Sequence, residues 1–243
     1  MKLFRFWEID FLRGIAILLM IIYHFIFDLN IFDKININTQ SGIILLLGRI
    51  SAVLFILLVG ISLTLSWSKG EKEKRNNTRY FILRGIKLFL LGLFITIFTW
   101  LLFPKEFIIF GALHFIGVSI ILSIPFLKLG AKTNIAIGLM IIIIGLWLSG
   151  ITFPFNYLLW LGFVPQGFNT FDYFPLFPWF GLILMGIAIG KKLYKNYSRQ
   201  FKFIEQPQNY ITNLLSFAGR NSLIIYFIHQ TILVGIIYVL KII

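Results

Sequence analysis

The 243-residue chain contains no cysteine. Disulfides, thiolate metal sites and a cysteine nucleophile are therefore excluded. Charge is also scarce. Asp, Glu, Lys and Arg together make up 13% of the residues, where a soluble domain carries about a quarter. Acidic side chains are the rarest of these, 9 against 22 basic ones, and there are only three histidines. Apolar residues fill the gap: 59% of the chain is hydrophobic, 18% is aromatic, and the mean hydropathy is +0.92. Such a composition belongs to a polytopic membrane protein and not to a globule with one anchor.

Spans of about 20 apolar residues match the hydrocarbon core. Seven are predicted, at 10–33, 42–66, 79–103, 107–127, 133–151, 173–193 and 220–241. Pro104, Pro125, Pro154, Pro165 and Pro207 fall in or near the breaks. The stretch 155–168 is apolar but short and interrupted by Gly and Pro, which suits a re-entrant or interfacial piece. The longest polar stretches are 67–78 and 194–213. No internal repeat and no soluble domain is visible. The first apolar run is too long for a cleavable signal, and no small-residue cleavage site follows it.

The formal net charge of +13 first suggests nucleic acid. Its distribution argues otherwise, because Lys and Arg gather in cytoplasmic loops. With the N-terminus inside, Lys2, Arg5, Arg13, the group Lys69–Lys87, Lys128, Lys132, the group Lys191–Lys202 and Arg220 lie on the inner side. That is 18 of the 22 basic residues, leaving Lys34, Arg49, Lys105 and Lys241 outside. Topology accounts for the charge, so no nucleic-acid partner is expected. The expected fold is all-α, an integral membrane helical bundle of about seven transmembrane helices with a cytoplasmic N-terminus.

Polar groups inside the spans carry the functional signal. The first span holds Asp10, Arg13, His24 and Asp28 in DFLRGIAILLMIIYHFIFD. Charges inside an apolar span are costly and usually functional. Eleven steps of about 100° return the helix to within about 20° of its starting face, roughly 16 Å further along the axis. Arg13 and His24 thus share a stripe, with Arg13 at a membrane face and His24 near the midplane. Asp28, four residues on, is placed to orient the imidazole. His229 and Gln230 lie near the midplane of the last span, and His114 in the outer half of the fourth. Histidine titrates near neutral pH and suits proton transfer. Arg13, with Arg84 and Arg220 at the inner ends of two other spans, is placed to bind the phosphates of an anionic ligand. Trp179 sits near the outer interface after DYFPLFPWFG.

Four stretches carry a family resemblance: RFWEIDFLRGIAILLMIIYH at 5–24, FGALHFIGVSIIL at 110–122, DYFPLFPWFGLILMGIAIGK at 172–191 and GRNSLIIYFIHQ at 219–230. The chain resembles a small prokaryotic member of the transmembrane acyltransferase superfamily. The branch it resembles is the heparan-alpha-glucosaminide N-acetyltransferase catalytic-domain family. The Arg13–x10–His24 spacing is also similar to the O-acyltransferase pattern, in which the His is assigned to catalysis. The resemblance implies one acyltransferase domain over 1–243. It further implies acetyl-CoA or another acyl-CoA as co-substrate and transfer to a sugar hydroxyl or amine, or a lipid-linked sugar, on the outer side of the plasma membrane. His24 and Asp28 would be catalytic. Arg13, Arg84 and Arg220 would hold the CoA. His114, His229, Gln230 and Trp179 would contact the acceptor or the carbonyl. The chain has fewer spans than the larger relatives, which leaves room for a homo-oligomer in which a second subunit completes the acceptor site.

Two other readings remain at the level of the residues. Buried His and Asp also describe a small proton-coupled transporter, although neither an inverted repeat nor matched broken helices accompany them. A metal set of His24, His114, His229 and Asp28 is chemically adequate, yet it draws on three spans with no local ligand pair, so no metal is expected.

Overall fold

A computed structural model of the chain describes residues 5–32, 35, 37–39, 41–202 and 209–239. Lys2, Lys34, Pro207, Lys241 and the end of the 220–241 span lie outside the described residues. Eight α-helices account for most of the rest: α1 Trp7–Ile31, α2 Gly42–Lys72, α3 Asn77–Leu102, α4 Ala112–Lys128, α5 Ala131–Leu148, α6 Leu176–Leu193, α7 Tyr210–Arg220 and α8 Ser222–Val239. Each of the seven expected spans coincides with a helix, within a few residues at most ends. Among the described residues, α1, α2, α3, α5, α6 and α8 are long and apolar enough to cross a membrane, and α4 is an apolar helix of 17 residues. The chain is a multi-pass membrane protein. Large apolar side chains stand exposed in stripes, as Leu90, Phe94, Ile97 and Leu101 do along α3. In water such faces would aggregate, whereas lipid solvates them.

Two features depart from the sequence reading. First, α2 continues to Lys72, well into the polar stretch that begins at 67. Hydropathy marks where the apolar run ends, not where helical hydrogen bonding ends. Lys69 and Lys72 in the last turn complement the negative end of the helix dipole. Second, the polar stretch 194–213 runs into an unexpected helix, α7, which extends from Tyr210 to Arg220. Its start is capped by Asn209, whose side chain accepts from the Thr212 amide at 2.8 Å. The interrupted segment 155–168 forms a 3-10 turn at Leu159–Leu161 and the short strand β2 Val164–Pro165, paired in parallel with β1 Thr152–Phe153.

The described residues of Met1–Leu58 and Lys202–Ile243 form one compact unit and those of Val59–Phe201 another. In the first, α1 packs against α7 and α8. Ser51 of α2 donates to the Ala16 carbonyl of α1 at 2.8 Å. In the second, α5 packs on α6 and α3 on α4. The α5–α6 contact is close at two glycines: a Cβ on Gly138 would stand 2.9 Å from the Gly181 carbonyl oxygen. Small residues let apolar helices approach where lipid offers no hydrophobic drive. Gly181 serves this close packing, since a Cβ there would meet the Gly138 carbonyl oxygen.

Candidate functional site

In the first unit, the site is built from α1, α7 and α8. Asp10 lies in the first turn of α1, where a carboxylate suits the positive end of the helix. It is 4% exposed and holds two guanidinium groups. Arg5 donates through Nε at 2.6 Å and Nη2 at 3.2 Å, and Arg13 through Nη1 at 3.3 Å. The same Arg13 nitrogen reaches the Gly219 carbonyl oxygen of α7 at 3.4 Å. Arg13 therefore ties α1 to α7, where the sequence reading had only its charge. Arg220, the residue after Gly219, is exposed.

The α1–α7 crossing is tight. A Cβ on Gly14 would collide with the Leu215 carbonyl, and one on Gly219 with the Asp10 carbonyl. The buried side of α7 presents Thr212, Ser216 and Gly219, while Tyr210, Ile211, Leu214 and Phe217 are exposed. The helix thus turns its small and polar residues toward α1 and its apolar ones away. Neither Gly14 nor Gly219 was singled out from the sequence. The only available signal was a glycine inside each of the two quoted terminal stretches.

Further along α1 the expected polar centre is assembled. The His24 and His229 rings lie 5.0 Å apart between centroids, tilted by 58°. His229 Nδ1 stands 2.7 Å from the Tyr226 carbonyl oxygen. Asp28 is 3% exposed, and its Oδ1 accepts from Gln230 Nε2 at 2.7 Å. Asp28 Oδ2 and His229 Nε2 have no hydrogen-bond partner among the described residues. Asp28 was expected to orient His24. Its hydrogen bond instead crosses to α8, because the His24 ring turns onto His229 and leaves the carboxylate facing the next residue of that helix. His24, Asp28, His229 and Gln230 are thus brought together.

The remaining predicted residues lie in the second unit. His114, 2% exposed, sits between the Phe89 and Phe110 rings with Thr96 Oγ1 3.4 Å from its Nε2. Asp172 Oδ2 accepts from the Ala112 amide at 2.9 Å and so fixes the start of α4, two residues before His114. Tyr173 donates to the Leu159 carbonyl at 2.7 Å, and burial pushes its phenol above the ordinary tyrosine range. Trp179 packs on Phe174, with 4.9 Å between ring centroids, and Arg84 is half-buried on α3. A cleft of about 380 Å³ is lined by Thr64, Trp67, Glu71, Lys128, Lys191 and Lys195. Among the described residues no cluster of three or more metal-ligating side chains occurs.

A family model described as heparan-alpha-glucosaminide N-acetyltransferase, catalytic, matches residues 5–231. Neither the curated proteins nor the solved structures gave a significant match to the chain.

Proposed function

The chain belongs to the heparan-alpha-glucosaminide N-acetyltransferase catalytic family, and on that premise we propose that it moves an acetyl group from acetyl-CoA, entering on the cytosolic side, to a sugar hydroxyl or amine on the outer side of the plasma membrane. The family makes the protein an acetyltransferase-type membrane enzyme and is acetyl-CoA-dependent in general. Residues 1–243 act as one acyltransferase domain with the N-terminus cytoplasmic, in line with the positive-inside distribution of Lys and Arg.

One observation carries the reading. Two imidazoles and a hydrogen-bonded carboxylate–amide pair meet inside apolar spans, joined across 202 residues of sequence. Packing alone would fill such positions with Leu or Ile, since unpaired polar groups in lipid are costly. In the proposed reaction, the acceptor oxygen or nitrogen attacks the thioester carbonyl carbon. His24 takes the proton the acceptor loses, and the CoA thiolate departs with the electrons of the broken C–S bond. Asp28, held by Gln230, supplies a buried acceptor beside the reacting groups. Arg13 and Arg220, both in the first unit, supply cations for the CoA phosphates. Of these, Arg220 is the more open, while Arg13 also ties α1 to α7.

The test uses purified protein in liposomes with radiolabelled acetyl-CoA and an amino sugar or a neutral sugar as acceptor. Wild type is expected to label the acceptor and the His24→Ala variant to lose at least 10²-fold in rate. Equal rates for the two would overturn the role of His24. Proton-linked solute uptake without CoA, and no acetyl transfer, would assign the site to a transporter instead.

A further inference from the structure

His229 is fixed in a way that His24 is not. A carbonyl oxygen only accepts, so the 2.7 Å contact between His229 Nδ1 and the Tyr226 carbonyl places the ring proton on Nδ1. The lone pair is then on Nε2. Residue 229 is 8% exposed, and Nε2 has no hydrogen-bond partner among the described residues. A buried acceptor left unpaired is costly. A residue kept for packing would not be expected to point a bare lone pair into an apolar span. His24, by contrast, meets Tyr23 and His229 through ring contacts, and no hydrogen bond to a described residue holds its ring. His229 is the imidazole its ring packs against, 5.0 Å away between centroids.

We propose that His24 and His229 form a two-imidazole proton relay in which His229 Nε2 is the terminal base. The proposal rests on the acetyl-transfer reading and assigns to His229 more than contact with the acceptor. As the acceptor attacks the thioester carbonyl, its O–H or N–H proton passes to one nitrogen of His24. The proton on the other nitrogen of His24 passes to His229 Nε2. The C–S bond breaks and the electron pair leaves on the CoA sulfur. The His229 imidazolium then returns its proton through His24 to the thiolate. Both rings end as they began, and the sum is acceptor plus acetyl-CoA giving acetylated acceptor plus CoA. The imidazolium is stabilised where it forms: its Nδ1–H already points at the Tyr226 carbonyl, and Asp28, one turn beyond His24, carries an uncommitted Oδ2. The titratable groups around the pair are Tyr23 and Asp28 on α1 and Tyr226 on α8; α7, packed on both helices, has Tyr210 and Arg220, both exposed.

The relay is tested on the full chain in liposomes with His229→Asn and His229→Gln. His229→Asn keeps an amide N–H near the place of Nδ1 and removes the lone pair. The expected result is kcat lower by about 10²-fold or more, with KM for acetyl-CoA within about twofold of wild type. The acid limb of the kcat–pH profile should move as well, because the group that must be deprotonated is gone. Free imidazole should restore a His229→Gly protein in proportion to its unprotonated fraction. A structural role would move neither the acid limb nor the imidazole response. Both substitutions leaving kcat within about threefold, or a fall with the acid limb unmoved and no rescue by imidazole, would overturn the relay. A wild-type protein that transfers no acetyl group overturns the function itself and the relay with it. An active wild type with a fully active His229→Asn overturns the relay alone. If His229→Asn does not fold, the His229→Gln profile and the imidazole response decide.

Discussion

One methyl group at Gly219 should loosen the α1–α7 crossing. The Cβ of a Gly219→Ala variant would fall on the Asp10 carbonyl oxygen, 2.7 Å from the carbonyl carbon and 2.9 Å from the Gly14 nitrogen. These are backbone atoms and have no rotamer to escape into. Carbon atoms pack best at about 3.5–4.0 Å, so the helices must part by about 1 Å. Overpacking of this kind costs about 1–3 kcal/mol. The Arg13 bond to the Gly219 carbonyl, 3.4 Å long, is lost as they part, adding about 1 kcal/mol. The total is roughly 2–4 kcal/mol. At about 2–4 °C per kcal/mol for a chain of this size, thermal unfolding in detergent should fall by roughly 4–16 °C. Gly235→Ala on α8 is the control, because a Cβ there meets nothing within 4 Å. It should be neutral or gain about 0.5–1 kcal/mol from helix propensity. Equal melting of Gly219→Ala and wild type would refute the close approach and the clamp role given to Arg13.

Two further outcomes follow from hydrogen bonds near the site. Gln230→Leu removes the donor that holds Asp28 Oδ1. It should cost about 1.5–3 kcal/mol, as expected for a bond to a charged group, and slow acetyl transfer; a melting curve and a rate both unchanged would mean that Asp28 has another partner. Tyr173 is neutral at ordinary pH, and burial raises its phenol above the ordinary tyrosine range. Its contribution to stability is therefore fully present below about pH 10 and is lost as pH rises through the higher folded value. Ultraviolet titration should show a tyrosine ionising above that range, which Tyr173→Phe removes; an unchanged titration in Tyr173→Phe would contradict the assignment.

The long apolar runs made the bundle legible, because a span announces itself through length and hydropathy alone. The helix α7 did not announce itself. With 11 residues it is too short for a span, and its Thr212, Ser216 and Gly219 read as loop residues until α1 is set against them. The sequence put Arg13 and His24 in one helix and His229 and Gln230 in another, and these are α1 and α8. Which groups pair was not legible. Asp28 lies one turn from His24 in sequence, yet its hydrogen bond goes to Gln230, and only the packing of α8 on α1 decides between them. Arg13 likewise reads as a lone cation until Asp10, Arg5 and the Gly219 carbonyl surround it.

The bond between Asp28 and Gln230 joins residues 202 apart, and this has a consequence for biosynthesis. At roughly 5–20 residues per second, a ribosome needs about 10–40 s to make the intervening chain. During that interval the first span waits in the bilayer with its carboxylate and imidazole lacking their final neighbours. It must borrow water, lipid headgroups or an insertase until α8 emerges. A quality-control system that surveys exposed polar groups in the membrane would therefore find this protein vulnerable while it is being made and inconspicuous once complete.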